Sequence, residues 1–183
     1  ALVSLMGPIT HVQSLARATF SQRTITSQPK HGKIIEVETP THIAALLQFE
    51  SGAIGQITTS FDVWHHSMPH IEIYGREGSL GVPDPNGFGG PVKIRKAGQG
   101  EWEEVQISGP YSQNSRGVGV LDMAYALCRG REARASGALA FHVLDVMQGI
   151  LEAAETRSGQ VISSRADRPA SIDPETPEGV LLD

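Results

Sequence analysis

From Ile43 onward the chain reads as short β-type segments joined by tight turns, and that spacing constrains the fold more than any other feature. Ile43, Ala45, Leu47 and Phe49 alternate with His42, Ala44, Leu46 and Gln48, a strand with one apolar face. Glu50-Ser51-Gly52 turns the chain, and Ala53–Trp64 runs back. On this second strand Ile57, Phe61 and Val63 share one face, and Thr58, Ser60, Asp62 and Trp64 the other. A third strand, His70–Tyr74, passes through Gly75-Arg76-Glu77-Gly78 into a fourth, Ser79–Val82. After the turn-forming loop Pro83–Pro91, Val92–Arg95 and Trp102–Ile107 form a further hairpin through Gly98-Gln99-Gly100. Neighbouring strands joined this closely are antiparallel, because parallel neighbours need crossovers of about a dozen residues or more.

The flanks complete the pattern. Ala1–Met6 is apolar from its first residue, and Gly7-Pro8 stops it, as expected for the last turns of a helix that begins upstream. The expectation is a domain cut from a longer chain. Ile9–Phe20 is β-type, and the polar Ser21–Lys33 reads as an exposed arm or loop. Long helices come late. Arg116–Arg129 places Val120, Met123, Ala124 and Leu127 at helical spacing and ends at Gly130. Ser136 is positioned to cap a second helix, with Leu139, Val143, Val146, Met147, Ile150 and Leu151 in one stripe up to about Arg157. Gly159, a short strand (Gln160–Ser163) and a Pro-rich acidic stretch follow.

Strands first and helices after indicate an α+β fold: an open, mostly antiparallel β-sheet with helices packed on one face. Residues 1–169 form the domain and 170–183 a tail. The second sheet face carries apolar side chains and needs a cover, most simply another copy of the chain.

A chain of 183 residues can bury roughly 70% of its unfolded surface. Its net charge of −5 provides no field for nucleic acid or an anionic membrane. No apolar run approaches the about 18 residues of a membrane span, and the N-terminus shows no signal-peptide pattern. One cysteine, Cys128, cannot form an internal disulfide, which fits a cytoplasmic protein. No glycine-rich dinucleotide fingerprint, phosphate loop, zinc spacing or nucleophile elbow occurs; Gly87-Phe88-Gly89-Gly90 sits between strands.

Two segments stand out as candidate binding elements. Asp62 and Trp64 share the polar face at the end of the second strand; an indole can cover a sugar's C–H face while a carboxylate accepts its hydroxyls. Equally, Trp64 can fill a dimer interface and Asp62 can pair with an arginine. Tyr111–Gly117 feeds a helix start, where Asn114, Ser115, Arg116 and backbone N–H groups can hold hydroxyls or an anion, or simply cap the helix. His65, His66 and His70 cluster without supporting carboxylate spacing and read as solvated rather than as metal ligands. His142 reads as a buried, hydrogen-bonded helix histidine, and Cys128 as a small buried hydrophobe.

Taken together, GPITHV, VETPTHIAALLQFESGAIGQITTSFDVW, IEIYGREGSLGVPDPNGFGGPV, NSRGVGVLDMAYAL and HVLDVMQGILEAAETRSGQVI resemble the C-terminal domain of the glucose–fructose oxidoreductase / inositol dehydrogenase / rhizopine-catabolism (Gfo/Idh/MocA) family. The resemblance runs from Ala1 to about Pro169. It implies the substrate-side half of a two-domain enzyme of the dihydrodipicolinate-reductase-like or glyceraldehyde-3-phosphate-dehydrogenase-like kind. A Rossmann half would bind NAD or NADP and carry the catalytic groups, so no catalytic, cofactor or metal residue is expected within this chain. The substrate would be a secondary alcohol of a sugar, sugar acid or cyclitol. Asp62, Trp64, His65 and Arg116 would line the pocket wall, with Asn114 in the adjoining loop, and the sheet would form a homo-oligomer. Alone, the chain is expected to be inactive and to bind no dinucleotide. The alternative is a stand-alone binding or oligomerisation module without redox chemistry.

Overall fold

The computed structural model describes residues 1–181 apart from Ser108 and Asn114. It comprises two compact units, one formed by Leu2–His65 with Gly137–Arg168 and the other by His66–Ser136 with Pro169–Asp183.

The first unit opens with α1 (Leu2–Met6), which ends where Gly7 takes a φ of +88° and returns its N–H to the Val3 carbonyl at 2.9 Å. Strand β1 (Ile9–Arg17) follows. Part of the expected polar arm is itself paired: β2 (Gln22–Thr24) and β3 (Ile34–Glu36) form a two-stranded antiparallel ribbon. Next come β4 (His42–Phe49) and β5 (Ile54–Ser60), joined by the tight turn at Gly52, whose φ is +85°. Strand order is β10-β1-β4-β5, where β10 is Gln160–Val161, and every pairing is antiparallel.

Period-two patterning decides what this sheet buries. Val12 opposes Leu47 and Ser14 opposes Ala45, so both strands turn these residues to the same face. There they join Val3, Ile9 and Phe49 in a core closed by Val146, Ala153 and Ile162. Helix α3 (Gly137–Thr156) lies on that face along β1. Gly149 permits the close approach: a β-carbon there would stand 2.7 Å from Ile162 Cδ1 and 3.4 Å from Val12 Cγ2. By length and composition α3 could cross a bilayer, yet Val146, Gly149 and Ala153 are buried in this unit. On the opposite sheet face Leu15, Leu46, Ile54 and Val161 are exposed, the open face expected from the pattern.

The second unit holds β6 (Ile71–Tyr74), β7 (Gly78–Val82), β8 (Val92–Lys96) and β9 (Glu103–Val105) as a separate antiparallel sheet in that order. Thus the strands read from sequence divide into two four-stranded sheets and a ribbon. Ile73, Leu80 and Ile94 align across one face; Tyr74, Ser79 and Arg95 align across the other. Helix α2 (Val118–Arg129) ends at Gly130, which has a φ of +65°. Its stripe differs from expectation. Val120, Met123 and Leu127 are 72%, 52% and 80% exposed, while Asp122 and Ala126 are buried. Cys128 is also exposed, which corrects its reading as a buried hydrophobe. The buried carboxylate, described below, sets the inward face of this helix. Near the C-terminus Leu181 is fully buried, and the Tyr111 hydroxyl accepts from the Gly179 N–H at 2.9 Å and donates to the Val180 carbonyl at 3.3 Å.

Candidate functional site

The end of the β4–β5 hairpin carries the densest polar network of the first unit. Asp62, just past β5, has a side chain only 7% exposed. Its Oδ2 accepts from the Thr41 hydroxyl at 2.7 Å, and its Oδ1 pairs with the Arg23 guanidinium. That guanidinium also donates to the Phe61 carbonyl at 3.1 Å and stands 5.6 Å from the Phe20 ring centroid. Burial alone would raise the Asp62 pKa, but hydrogen bonds from Thr19, Thr41 and Arg23 outweigh it and hold the carboxyl below its ordinary value. Of the two readings of Asp62, pairing with an arginine is the one the geometry displays. Oδ1 fastens the arm through Arg23, and Oδ2 is taken by Thr41 beside β4.

Beside it, Ser60 Oγ accepts from the Asp62 N–H at 3.0 Å and lies 2.9 Å from His42 Nδ1. A serine next to a histidine invites comparison with a nucleophile and its base. Here the carboxylate belongs to Arg23 and Thr41 rather than to the imidazole, so the third member of such a relay is missing among the described residues. Sequence reading did not single out Arg23, Thr41, His42 or Ser60 as partners. The only available signal was polar residues at both ends of an apolar hairpin.

The other expected pocket residues divide between the two units. Trp64 is 89% exposed and His65 is exposed, both in the segment after β5. Arg116 belongs to the second unit, where its guanidinium stands 5.9 Å from the Phe88 ring centroid. Asn114 lies outside the described residues. His66 and His70 meet edge to face with centroids 6.1 Å apart, and His70 Nε2 is 3.8 Å from Asp84. Among the described residues no group of three His, Cys, Asp or Glu could hold a metal ion.

His142 behaves as read from sequence: it is fully buried on α3. Its Nε2 accepts the Ile9 N–H at 3.1 Å, which places the ring proton on Nδ1 facing Ser164 Oγ at 3.0 Å. Ser164 in turn gives its N–H to Asp145 at 3.0 Å. Side-chain and backbone hydrogen bonds from Ser164 lower the Asp145 pKa, with burial opposing them. This relay ties α3, the start of β1 and the segment after β10 together.

Residues 1–81 match the GFO/IDH/MocA C-terminal domain. The resemblance noted in the sequence is borne out over these residues, and the fold is shared with solved oxidoreductase structures. The apo form of levoglucosan dehydrogenase superposes with a TM-score of 0.71 at 17% identity, over 90% of this chain and 49% of that one. The same enzyme in complex with NADH and L-sorbose gives 0.69 at 17% identity, over 89% and 48%. An NAD-binding oxidoreductase from Klebsiella pneumoniae gives 0.67 at 17% identity, over 87% and 47%. The chain therefore spans about half the length of the structures it matches. No curated protein matches it by sequence.

The residues present do not themselves fit a nicotinamide dinucleotide. Such a cofactor needs a glycine-rich turn leading from a strand into a helix N-terminus. Gly87, Gly89 and Gly90 instead fall in the connection between β7 and β8.

Proposed function

We propose that this chain is the substrate-side and oligomerisation domain of a cytoplasmic NAD(P)-dependent oxidoreductase that acts on a secondary alcohol of a sugar, sugar acid or cyclitol. One conjunction carries the reading: a Gfo/Idh/MocA C-terminal match over β1, β4 and β5, on a fold shared with nicotinamide-binding enzymes about twice as long. In this reading the dinucleotide and the proton-transfer groups belong to another domain. This chain supplies part of a pocket wall from Trp64 and His65, next to Asp62, which is paired with Arg23 and Thr41. The open face with Leu15, Leu46, Ile54 and Val161 joins a second copy.

Turnover tests the reading. The open reading frame containing these residues, expressed whole, is expected to reduce NAD⁺ or NADP⁺ on a panel of aldoses, sugar acids and cyclitols. This chain alone is expected to give no turnover and no saturable NADH binding. A start codon directly before Ala1, or saturable NADH binding by the isolated chain, overturns it.

A further inference from the structure

The second unit carries a groove whose chemistry the preceding proposal does not use. On the β6–β9 sheet the apolar residues point one way, and Glu72, Tyr74, Ser79, Gly81, Lys93 and Arg95 point the other. Tyr74, Ser79 and Arg95 form one cross-strand row, and Glu72, Gly81 and Lys93 the next. The middle strand thus offers only a hydroxyl and a bare backbone between two strands of long side chains. That leaves a solvent-open groove of about 470 Å³, within the size range of small-ligand sites.

Two glycines shape it. A β-carbon on Gly78 would lie 2.3 Å from the Arg95 carbonyl oxygen, so the close approach of β7 to β8 requires glycine there. At Gly81 the missing side chain is replaced by Trp102, whose Cζ3 would stand 3.9 Å from a β-carbon built at that position. The indole is seated on the sheet yet remains 39% exposed, and Tyr74 across the groove is 76% exposed.

The charge is the third observation. Arg76, Arg95 and Lys96 line the groove against a single carboxylate, Glu72, in a chain of net charge −5. Among the described residues none of the three cations has an ion-pair partner. Arg95 is aimed by its own turn: Nε donates to the Gln99 carbonyl at 3.0 Å, while the Gln99 side chain is held by the Lys96 N–H and by Glu103. The terminal guanidinium nitrogens remain for a ligand.

We propose that this groove binds an anionic saccharide, a sugar ring carrying a carboxylate or phosphate. The ring's C–H face lies on Trp102, its hydroxyls meet Ser79 and Glu72, and its anion meets Arg95 and Arg76. Arg95, Lys96 and Trp102 fall beyond the residues matched by the family, so the site stands whether or not the oxidoreductase reading does.

The chain has two tryptophans, so a Trp64→Phe background leaves Trp102 as its sole indole reporter. Titration of that protein with glucuronate and with glucose 6-phosphate is expected to change its emission saturably with at least one of them. Comparing the two separates a carboxylate-bearing from a phosphate-bearing ligand. Glucose is expected to bind at least tenfold more weakly, and inorganic phosphate to leave the emission unchanged. Arg95→Gln and, on the neighbouring turn, Arg76→Gln are each expected to weaken binding at least tenfold at unchanged circular dichroism. The proposal is overturned by no saturable response to either acid, or by glucose binding equally well. It also fails if inorganic phosphate reproduces the emission change, or if both arginine variants bind like the parent.

Discussion

His142 illustrates how one side chain can be structural on every count. It has no exposed surface, and both ring nitrogens face protein partners, Ile9 N–H and Ser164 Oγ. Replacing it with alanine strands one buried and one partly buried polar group and opens a cavity, so His142→Ala is expected to lower stability by about 3 kcal/mol. Urea denaturation reads this directly; a loss below about 1 kcal/mol would mean that water fills the gap at little cost. Asp122 is the counterpart in the second unit. From inside α2 it accepts from Arg131 at 2.8 Å and from the Arg134 side chain at 2.6 Å and backbone N–H at 2.7 Å. Asp122→Ala removes the buried carboxylate on which Arg131 and Arg134 converge and is expected to cost about 3 kcal/mol.

These carboxylates also set a pH dependence. Burial would raise the Asp122 pKa, but Arg131 and Arg134 lower it below the ordinary 3.8; Asp145 and Asp62 are lowered too. A folded pKa below the unfolded one means that the unfolded chain binds protons first. The resulting stabilisation is fully present above about pH 5 and is lost as pH falls through about 4 toward the folded values. Denaturation midpoints measured from pH 6 down to pH 3 are expected to fall, and Asp145→Asn to flatten part of that slope. A profile rising toward acid contradicts these assignments.

At the scale of elements, α3 depends on one small residue. Ile162 Cδ1 and Val12 Cγ2 crowd the position a side chain on Gly149 would take. Gly149→Ala gains helix propensity of about 1 kcal/mol and displaces only the flexible end of Ile162, so the net change is expected to be near zero. Gly149→Leu must push α3 off the sheet and is expected to cost about 2 kcal/mol. Equal stability of the two variants would show that α3 packs more loosely than its contacts indicate. The β2–β3 ribbon makes a different case, since its ladder is short and its attachment runs through Arg23 and Asp62. Asp62→Ala is expected to raise amide exchange in Gln22–Glu36 with little change in β1 or β4.

For the whole molecule the open sheet face matters most. Leu15, Leu46, Ile54 and Val161 are exposed beside Gln13, Gln48 and Gln56, a mixed apolar and neutral surface suited to self-association. Sedimentation at micromolar concentration is expected to give at least a dimer, and Leu46→Lys to give a folded monomer. A monomeric parent chain removes the oligomerisation half of the proposed function.

How much of this could be read from residues follows a physical line. Wherever one face of an element meets the core, period and turn chemistry carried the information. β4 was legible to the residue, as were the Gly52 and Gly130 turns and the burial of His142. Helix α2 was misread because its apolar stripe outnumbered its inward carboxylate, and a buried Asp is recognisable only once Arg131 and Arg134 close on it. Asp62 and Trp64 looked like a pair on one strand face, but β5 ends at Ser60 and the strand alternation stops before them. The sequence by itself determined the antiparallel strands, the α+β order and the family resemblance of its first half, because these rest on local patterns and short connections. Tertiary structure alone decided how strands divide between sheets, which carboxylates find arginines, and where Trp102 settles. Those outcomes depend on contacts between residues far apart in the chain, and no local spacing records them.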